Sequence, residues 1–344
     1  MMRVMRLFIC AFAVVFGIQL HAQFVEYPLA DQSHPGGITA GPDGNVWFTE
    51  RSADRIGRIT PSGQIVEFAL AAGADPNDIT AGSDGNLWYT NSTHNTIGRI
   101  TPTGVITEFP AAPSPFEITA GPDGNLWFVP ILDSYVGRIT TSGVVTTFPI
   151  VDVEAPGDIT AGPDGNIWFT DFYGNRIGRM STSGTGLTYF AVPTFDSRPA
   201  AITTGPDGNL WFIQPHANQV ARITPTGTIT EFPLPPGTGS FDIVTGPDGN
   251  LWIASWPNAI VRFTVTGVGT TFPIPTPGGG PTDIAAGPDG GIWFNENVAD
   301  QIGRFDPFAQ AHAENVPALS TALMIALAVM LALGGVLVLT RQAS

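Results

Sequence analysis

Five carboxylic acids occupy one equivalent position in a repeated motif. Asp78, Glu117, Asp158, Asp242 and Asp283 each immediately precede the Ile that opens a short apolar segment, and the other two copies carry Gly37 and Ala201 there. Carboxylates gathered into a ring offer the oxygen ligands that Mg²⁺ or Ca²⁺ prefer. Without a cation they would raise one another's pKa. The same placement also suits a structural role, in which each acid accepts hydrogen bonds from N–H groups at a strand entrance. Both readings stay open at the level of sequence. A second set lies further along each repeat, where Glu50, Asn91, Pro130, Asp171, Gln214, Ser255 and Glu296 stand at equivalent positions and His94, Tyr135, Phe172, Tyr173, His216 and Trp256 follow. Glu50, Asp171, Glu296, His94, His216 and Trp256 are the candidates for ligand contact. His34, His94 and His216 fall in different copies, which disfavours a shared metal site. No Gly-rich phosphate loop opens a helix, no Ser-His-Asp set can be placed, and no Cys/His metal spacing is present.

What must position these residues is the repeat itself. Trp47, Trp88, Trp127, Trp168, Trp211, Trp252 and Trp293 recur every 39 to 43 residues, each after a Gly-Pro-Asp-Gly-type turn and before an Ile-Gly-Arg-type strand. A period of about forty with four short β segments is that of a propeller blade. The sequence predicts an all-β, seven-bladed propeller of four-stranded blades. In the fourth copy Ile159–Ala161, Ile167–Thr170 and Arg176–Met180 read as three strands, and Ile106–Phe109 and Ile229–Phe232 show the outer strand elsewhere. After Gln301–Phe305 no outer strand follows, whereas residues 24–29 look like an outer strand without a blade. That N-terminal strand is expected to pair with 301–305 and close blade seven, removing open sheet edges. The tryptophans read as packing between blades. The turn aspartates (Asp43, Asp84, Asp123, Asp164, Asp207, Asp248, Asp289) match the repeat arginines (Arg58, Arg99, Arg138, Arg179, Arg222, Arg262, Arg304) one for one, as an ion pair or a turn-stabilising hydrogen bond. Loops entering the first strand and loops joining strands two and three share one face. Those loops vary between copies, and variable loops on a rigid scaffold are where binding concentrates.

Composition narrows the partners. Of 344 residues 43% are hydrophobic, enough for a large core, and the formal charge is −15 with no lysine at all. Arg3, Arg6 and Arg341 lie near the ends, so the middle is more acidic still. Such a surface repels phosphate backbones, and nucleic acid is excluded as a partner. Residues 1–22 read as a signal peptide, with Arg3 and Arg6 before the apolar run Leu7–Leu20. The single Cys10 lies inside it, too early and after too bulky an Ile for a good lipoprotein site. The propeller is expected over 23–308, a linker over 309–316 and a tail over 317–344. Within the tail, Ala318–Thr340 is an uncharged run of 23 residues, long enough to span a bilayer as a helix.

Two resemblances follow from these residues. Val316-Pro317-Ala318-Leu319-Ser320, the apolar run and Arg341 resemble the IPTL-CTERM type of sorting tail. This implies export in a Gram-negative bacterium to the cell envelope or surface, recognition by a membrane sorting enzyme, and release if the tail is processed. The repeat Ile-Thr-Ala-Gly-Pro-Asp-Gly-Asn-Leu-Trp-Phe, continued as Ile-Gly-Arg-Ile-Thr-Pro-Thr-Gly and Ile-Thr-Glu-Phe-Pro, resembles the streptogramin B lyase (virginiamycin B lyase) family over residues 24–308. That resemblance implies a seven-bladed propeller whose characterised members open a cyclic depsipeptide by Mg²⁺-dependent elimination. It also implies a His two residues before a first-strand Ile, where this chain has Gly36, Asn77, Phe116, Gly157, Ala200, Phe241 and Thr282, and a Glu after a Trp-Phe strand, matched by Glu296. Without its general base an elimination loses about 10²–10⁴-fold.

The expected function is therefore an exported, surface-held propeller binding a small-molecule or surface ligand on its acidic variable face. Two enzymatic alternatives stand beside it, a divalent-metal carbon–oxygen lyase with relocated groups (Glu50, Asp171 or Glu296) and a lactonase-type metal hydrolase at the acidic mouth.

Overall fold

Short β-branched segments separated by Gly-rich turns fold each copy of the repeat into one antiparallel sheet. The computed structural model describes residues 23–153 and 156–309. After β1 (Phe24–Pro28), strands β2 (Pro35–Ala40), β3 (Val46–Glu50), β4 (Arg55–Ile59) and β5 (Ile65–Ala69) form a sheet in chain order. Strands β6 to β25 repeat this in five further sheets between Pro76 and Pro273, with one short 3₁₀ turn at Pro215–Ala217. β26 (Ile284–Ala286), β27 (Ile292–Glu296) and β28 (Gln301–Phe305) begin the seventh sheet, and β1 completes it. Phe24 lies opposite Phe305 and Pro28 opposite Gln301. The expected closure by the N-terminal strand is what the structure contains.

The compact unit holding the blades ends at Asp306. The expected signal peptide, the sorting tail and its apolar run lie outside the described residues. Among the described residues no helix is long and apolar enough to cross a membrane.

All seven repeat tryptophans are wholly buried. Trp47 packs with Ile79, Leu87 and Ile100 of the following blade and stacks on Phe68 of its own outer strand at 5.5 Å. In blade seven that stacking place is taken by Tyr27 of β1, 5.8 Å from Trp293 with the rings 11° apart. The glycine of the Ile-Gly-Arg strand is required by this packing, because a Cβ on Gly57 would overlap the Phe48 ring.

The turn aspartate has a partner that residue matching alone does not single out. Asp43 Oδ1 accepts the Trp47 indole N–H at 3.0 Å and the Asn45 N–H at 3.2 Å. The indole bond recurs in all seven blades, at 2.9 to 3.1 Å. Gly44 follows at φ +75°, a conformation glycine adopts without steric cost. The expected Arg–Asp pair forms in five blades, from 2.6 Å in Arg304–Asp289 to 3.8 Å in Arg179–Asp164. The arginine also reaches sideways: Arg58 Nη1 donates to the Pro102 carbonyl at 2.8 Å, and its guanidinium lies 5.5 Å from the Trp47 ring centroid.

Candidate functional site: the carboxyl-lined channel mouth

The first strand of most blades begins earlier than its apolar pattern suggests, because the entrance residues join the ladder through a bulge. In the second blade the register shifts between Pro76 and Ile79, and in the fourth between Pro156 and Ile159. A bulge re-aims the side chain it contains. Here the Asp78 N–H donates to Thr90 Oγ1 at 3.1 Å and that of Asp158 to Thr170 Oγ1 at 2.9 Å.

The acids then clamp neighbouring blades together. Asp78 accepts the N–H of Ile79 at 2.7 Å on one oxygen and that of Ile118, in the next blade, at 2.9 Å on the other. Asp158 does the same with Ile159 at 2.6 Å and Ile202 at 2.7 Å. Asp283 holds Ile284 at 2.7 Å and Ile38 of the first blade at 2.9 Å. Asp242 reaches Ile284 at 3.2 Å. Glu117 is one methylene longer and turns its carboxyl to Asp78 instead, as Asp242 does to Asp283.

Burial pushes all five carboxyls up, Asp78 to about 7 and Glu117, Asp158 and Asp283 well above the carboxylate range. For Glu117, Asp158 and Asp283 the neighbouring carboxylates add to this rise. Backbone N–H donors oppose it at Asp78 and Asp158 but do not reverse it. Burial and mutual repulsion thus disfavour full ionisation of the five carboxyls as a set.

The five acids line one cavity of about 630 Å³, together with Phe116, Phe172, Phe241 and Arg51. Phe116 and Phe241 stand two residues before a first-strand Ile, at a position that varies freely between copies. That variation, beside an acid in five of the seven copies, is the signal for an aromatic wall that the carboxylate pattern left out of the candidates.

The second candidate set does not line this cavity. Glu50, Asp171 and Glu296 are wholly buried at the ends of their strands. Asp171 is engaged by Arg176 at 2.6 Å and by the Gly174 N–H at 2.9 Å. Burial raises Glu50, and it raises Glu296 to about 8, with Glu26 adding to the effect. His94 caps its own loop, its N–H donating to Asn91 Oδ1 at 3.1 Å. His216 and Trp256 adjoin the cavity wall: His216 lies edge-on to Phe172 at 6.3 Å, and Trp256 is 6.0 Å from Phe241. Trp256 ends the strand Leu251–Trp256 and remains 39% exposed.

The oxygens of Asp78, Asp158 and Asp283 are committed to backbone N–H groups. Among the described residues no three His, Cys, Asp or Glu side chains are placed to share a metal ion. The donors present do not fit the Mg²⁺ that the resemblance implies, or a Ca²⁺ ion in its place.

The Virginiamycin B lyase family model matches residues 15–185 and 153–323. A streptogramin B lyase structure is similar at 33% identity and TM-score 0.78, covering 82% of this chain and 97% of that one. Virginiamycin B lyase from Staphylococcus aureus is similar at 36% identity and TM-score 0.77, covering 83% and 99%. A catalytically inactive histidine-to-alanine variant of the S. aureus enzyme, with quinupristin, is similar at 37% identity, TM-score 0.77 and the same coverage. No curated protein matches the chain.

Proposed function

We propose, from the premise that this chain belongs to the virginiamycin B lyase family, that it is an exported propeller whose channel mouth binds a ligand without opening it. The observation that carries this reading is the cavity in which five buried carboxyls meet three phenylalanines. Concave sites with apolar walls and a few convergent polar groups are the usual form of small-molecule sites. The carboxyls would meet polar atoms of the ligand and the rings its apolar body. His216 and Trp256 extend that wall outward. Residues 1–22 and 317–344 support export and retention at the cell envelope or surface, through a membrane sorting enzyme that reads the tail.

A second reading, a metal-dependent lyase with relocated groups, is favoured by Glu296, which stands where the resemblance places a family glutamate. Its carboxyl is buried away from the cavity, and the positions two before the first-strand Ile carry no histidine. The family's histidine base thus has no counterpart at these positions, which weighs against the lyase reading.

Calorimetric titration with quinupristin, with and without Mg²⁺, followed by a ring-opening assay, separates the two. Saturable binding that is independent of Mg²⁺, with the ring intact, is expected. Ring opening would replace the binding reading with the lyase reading. Absence of heat would remove the mouth as a site for this class of ligand.

A further inference from the structure

Glu296 ends β27 with both carboxyl oxygens buried, and neither accepts a bond from any N–H or hydroxyl among the described residues. The group it faces is another acid, Glu26 of β1, within hydrogen-bonding reach. The fifth blade shows the same corner built with a neutral partner. There Gln214 occupies the place of Glu296 and Glu231 that of Glu26, and Gln214 Nε2 donates to Glu231 Oε1 at 2.8 Å. Glu231 also accepts the N–H and hydroxyl of Thr194 at 3.1 and 2.9 Å. Glu26 accepts the N–H and hydroxyl of Thr276 at 3.0 and 2.8 Å. The two corners share their threonine bonds, with a carboxyl in place of an amide; Gln214 Nε2 also donates to the Ser197 hydroxyl at 3.2 Å, where blade seven has Gly279. Only a protonated carboxyl can take over the amide's donor role toward the facing acid.

We infer that Glu296 and Glu26 share one proton, and that this proton latches β1 and the 274–280 loop onto blade seven. Its loss leaves two facing carboxylates in a dry corner, and like charges there repel strongly. β1 is the strand most exposed to that repulsion, because it reaches blade seven from the opposite end of the chain and no turn ties it to β28. Gly279 lies directly over the pair, and a Cβ there would collide with Glu296 Oε2.

No neighbouring charge can substitute for the proton. On β28, Gln301 opposite Glu296 is neutral, and Arg304 is held by Asp289 at 2.6 Å. On β1, Tyr27 stacks against Trp293. In the 297–300 loop, Asp300 spends its carboxylate on the N–H groups of Gln32 and His34, each at 2.7 Å. Asp283 turns to the mouth. β2 and residues 274–282 contain nothing ionisable. The elevated pKa of Glu296, about 8, puts release in the mildly alkaline range.

Hydrogen exchange of the full chain, read by mass spectrometry at about pH 6 and about pH 9.5 and corrected for intrinsic rates, tests the latch. Peptides covering 23–29 and 274–282 are expected to lose at least about tenfold in protection at the higher pH, while the matching corner at 210–233 holds. Glu296→Gln recreates the Gln–Glu corner of blade five and should abolish the loss. Glu26→Gln, which supplies the amide from the other side, should abolish it too. Unchanged protection in the wild-type chain, or a loss that persists in either variant, overturns the inference.

Discussion

The carboxyl of Asp283 accepts the backbone N–H of Ile38 at 2.9 Å, joining residues 245 positions apart across the seam between the last blade and the first. Together with the pairing of β1 and β28, this bond closes a ring that has no covalent closure. Three further seams carry the same clamp, through Asp78 to Ile118, Asp158 to Ile202 and Asp242 to Ile284. Where the entrance residue is Gly37 or Ala201 no carboxyl is available, and the clamp is absent. The acids at the mouth thus hold the scaffold together and line its cavity at the same time.

Asp283→Ala leaves the Ile38 N–H without its acceptor in a part-buried seam. A loss of about 1–3 kcal/mol of stability is expected, measured by urea unfolding. Asp283→Asn keeps a carbonyl oxygen and should recover part of that loss. Equal losses in the two variants would mean that the negative charge, and not the hydrogen bond, matters at the seam.

The mouth carboxyls impose a pH dependence with a definite sign. Their folded pKa values lie above the ordinary carboxylate range, Asp78 at about 7, so their contribution is complete at about pH 4 and is lost as pH rises through neutrality. The turn aspartates act in the opposite sense. Burial alone would raise them, but the Trp and Asn donors hold Asp43, Asp84, Asp123, Asp164 and Asp207 below their usual value. Their contribution is present above that value and lost in stronger acid. Stability should therefore peak near pH 4–5 and fall above it, with the coupled mouth carboxyls titrating as a set and Asp78 contributing up to about 1.4 kcal/mol per pH unit. Urea midpoints across this range check the curve, and Asp78→Asn should flatten it by about one proton. A midpoint that climbs steadily from about pH 4.5 to 7.5 would contradict proton-bearing acids at the mouth.

The two partners of a turn aspartate can be ranked in the fourth blade. Asp164 accepts the buried Trp168 indole at 2.9 Å, and the Arg179 guanidinium is 3.8 Å away. Asp164→Ala should cost about 1–3 kcal/mol, the penalty for an unmet buried donor. Breaking the Arg179–Asp164 ion pair itself should cost about 0–1 kcal/mol, because the pair is long and still partly open to water. Arg179→Gln, which keeps a donor for the Pro225 carbonyl that Arg179 Nη1 meets at 2.8 Å, isolates that charge in thermal unfolding. A larger loss for the Arg179 variant would make the ion pair the dominant bond of the repeat.

Phe241 forms part of the cavity wall yet is 49% exposed, so its removal should spare the fold. Phe241→Ala is expected to weaken quinupristin binding about 10- to 100-fold, as truncation of an aromatic contact commonly does. The melting temperature should stay within about 1–2 °C of the parent. Unchanged affinity would place the ligand outside this wall.

The blade count, the place of the tryptophans between blades and the closure by β1 were legible because a repeat states its own register: a missing outer strand at one end and a spare one at the other can pair only with each other. The turn aspartates were legible as structural, but their indole partner was not, since a residue four positions away can point to either face until the turn is built. The candidate acids were found as a set, whereas their bonding was hidden. Three clamps join residues 40 to 44 positions apart and the fourth residues 245 apart, and the sequence carries no mark of which N–H a carboxyl will meet.

From the sequence alone came the architecture and the list of groups able to do chemistry, because local periodicity and turn residues act over only a few bonds. Tertiary structure decided what those groups are free to do. Closing seven blades brings backbone donors to the mouth carboxyls, buries Glu50, Asp171 and Glu296 beneath neighbouring loops, and leaves three phenylalanines facing the acid ring. Desolvation and hydrogen bonding are properties of that assembled neighbourhood, and they turn a row of acids into hydrogen-bonded seams around a cavity.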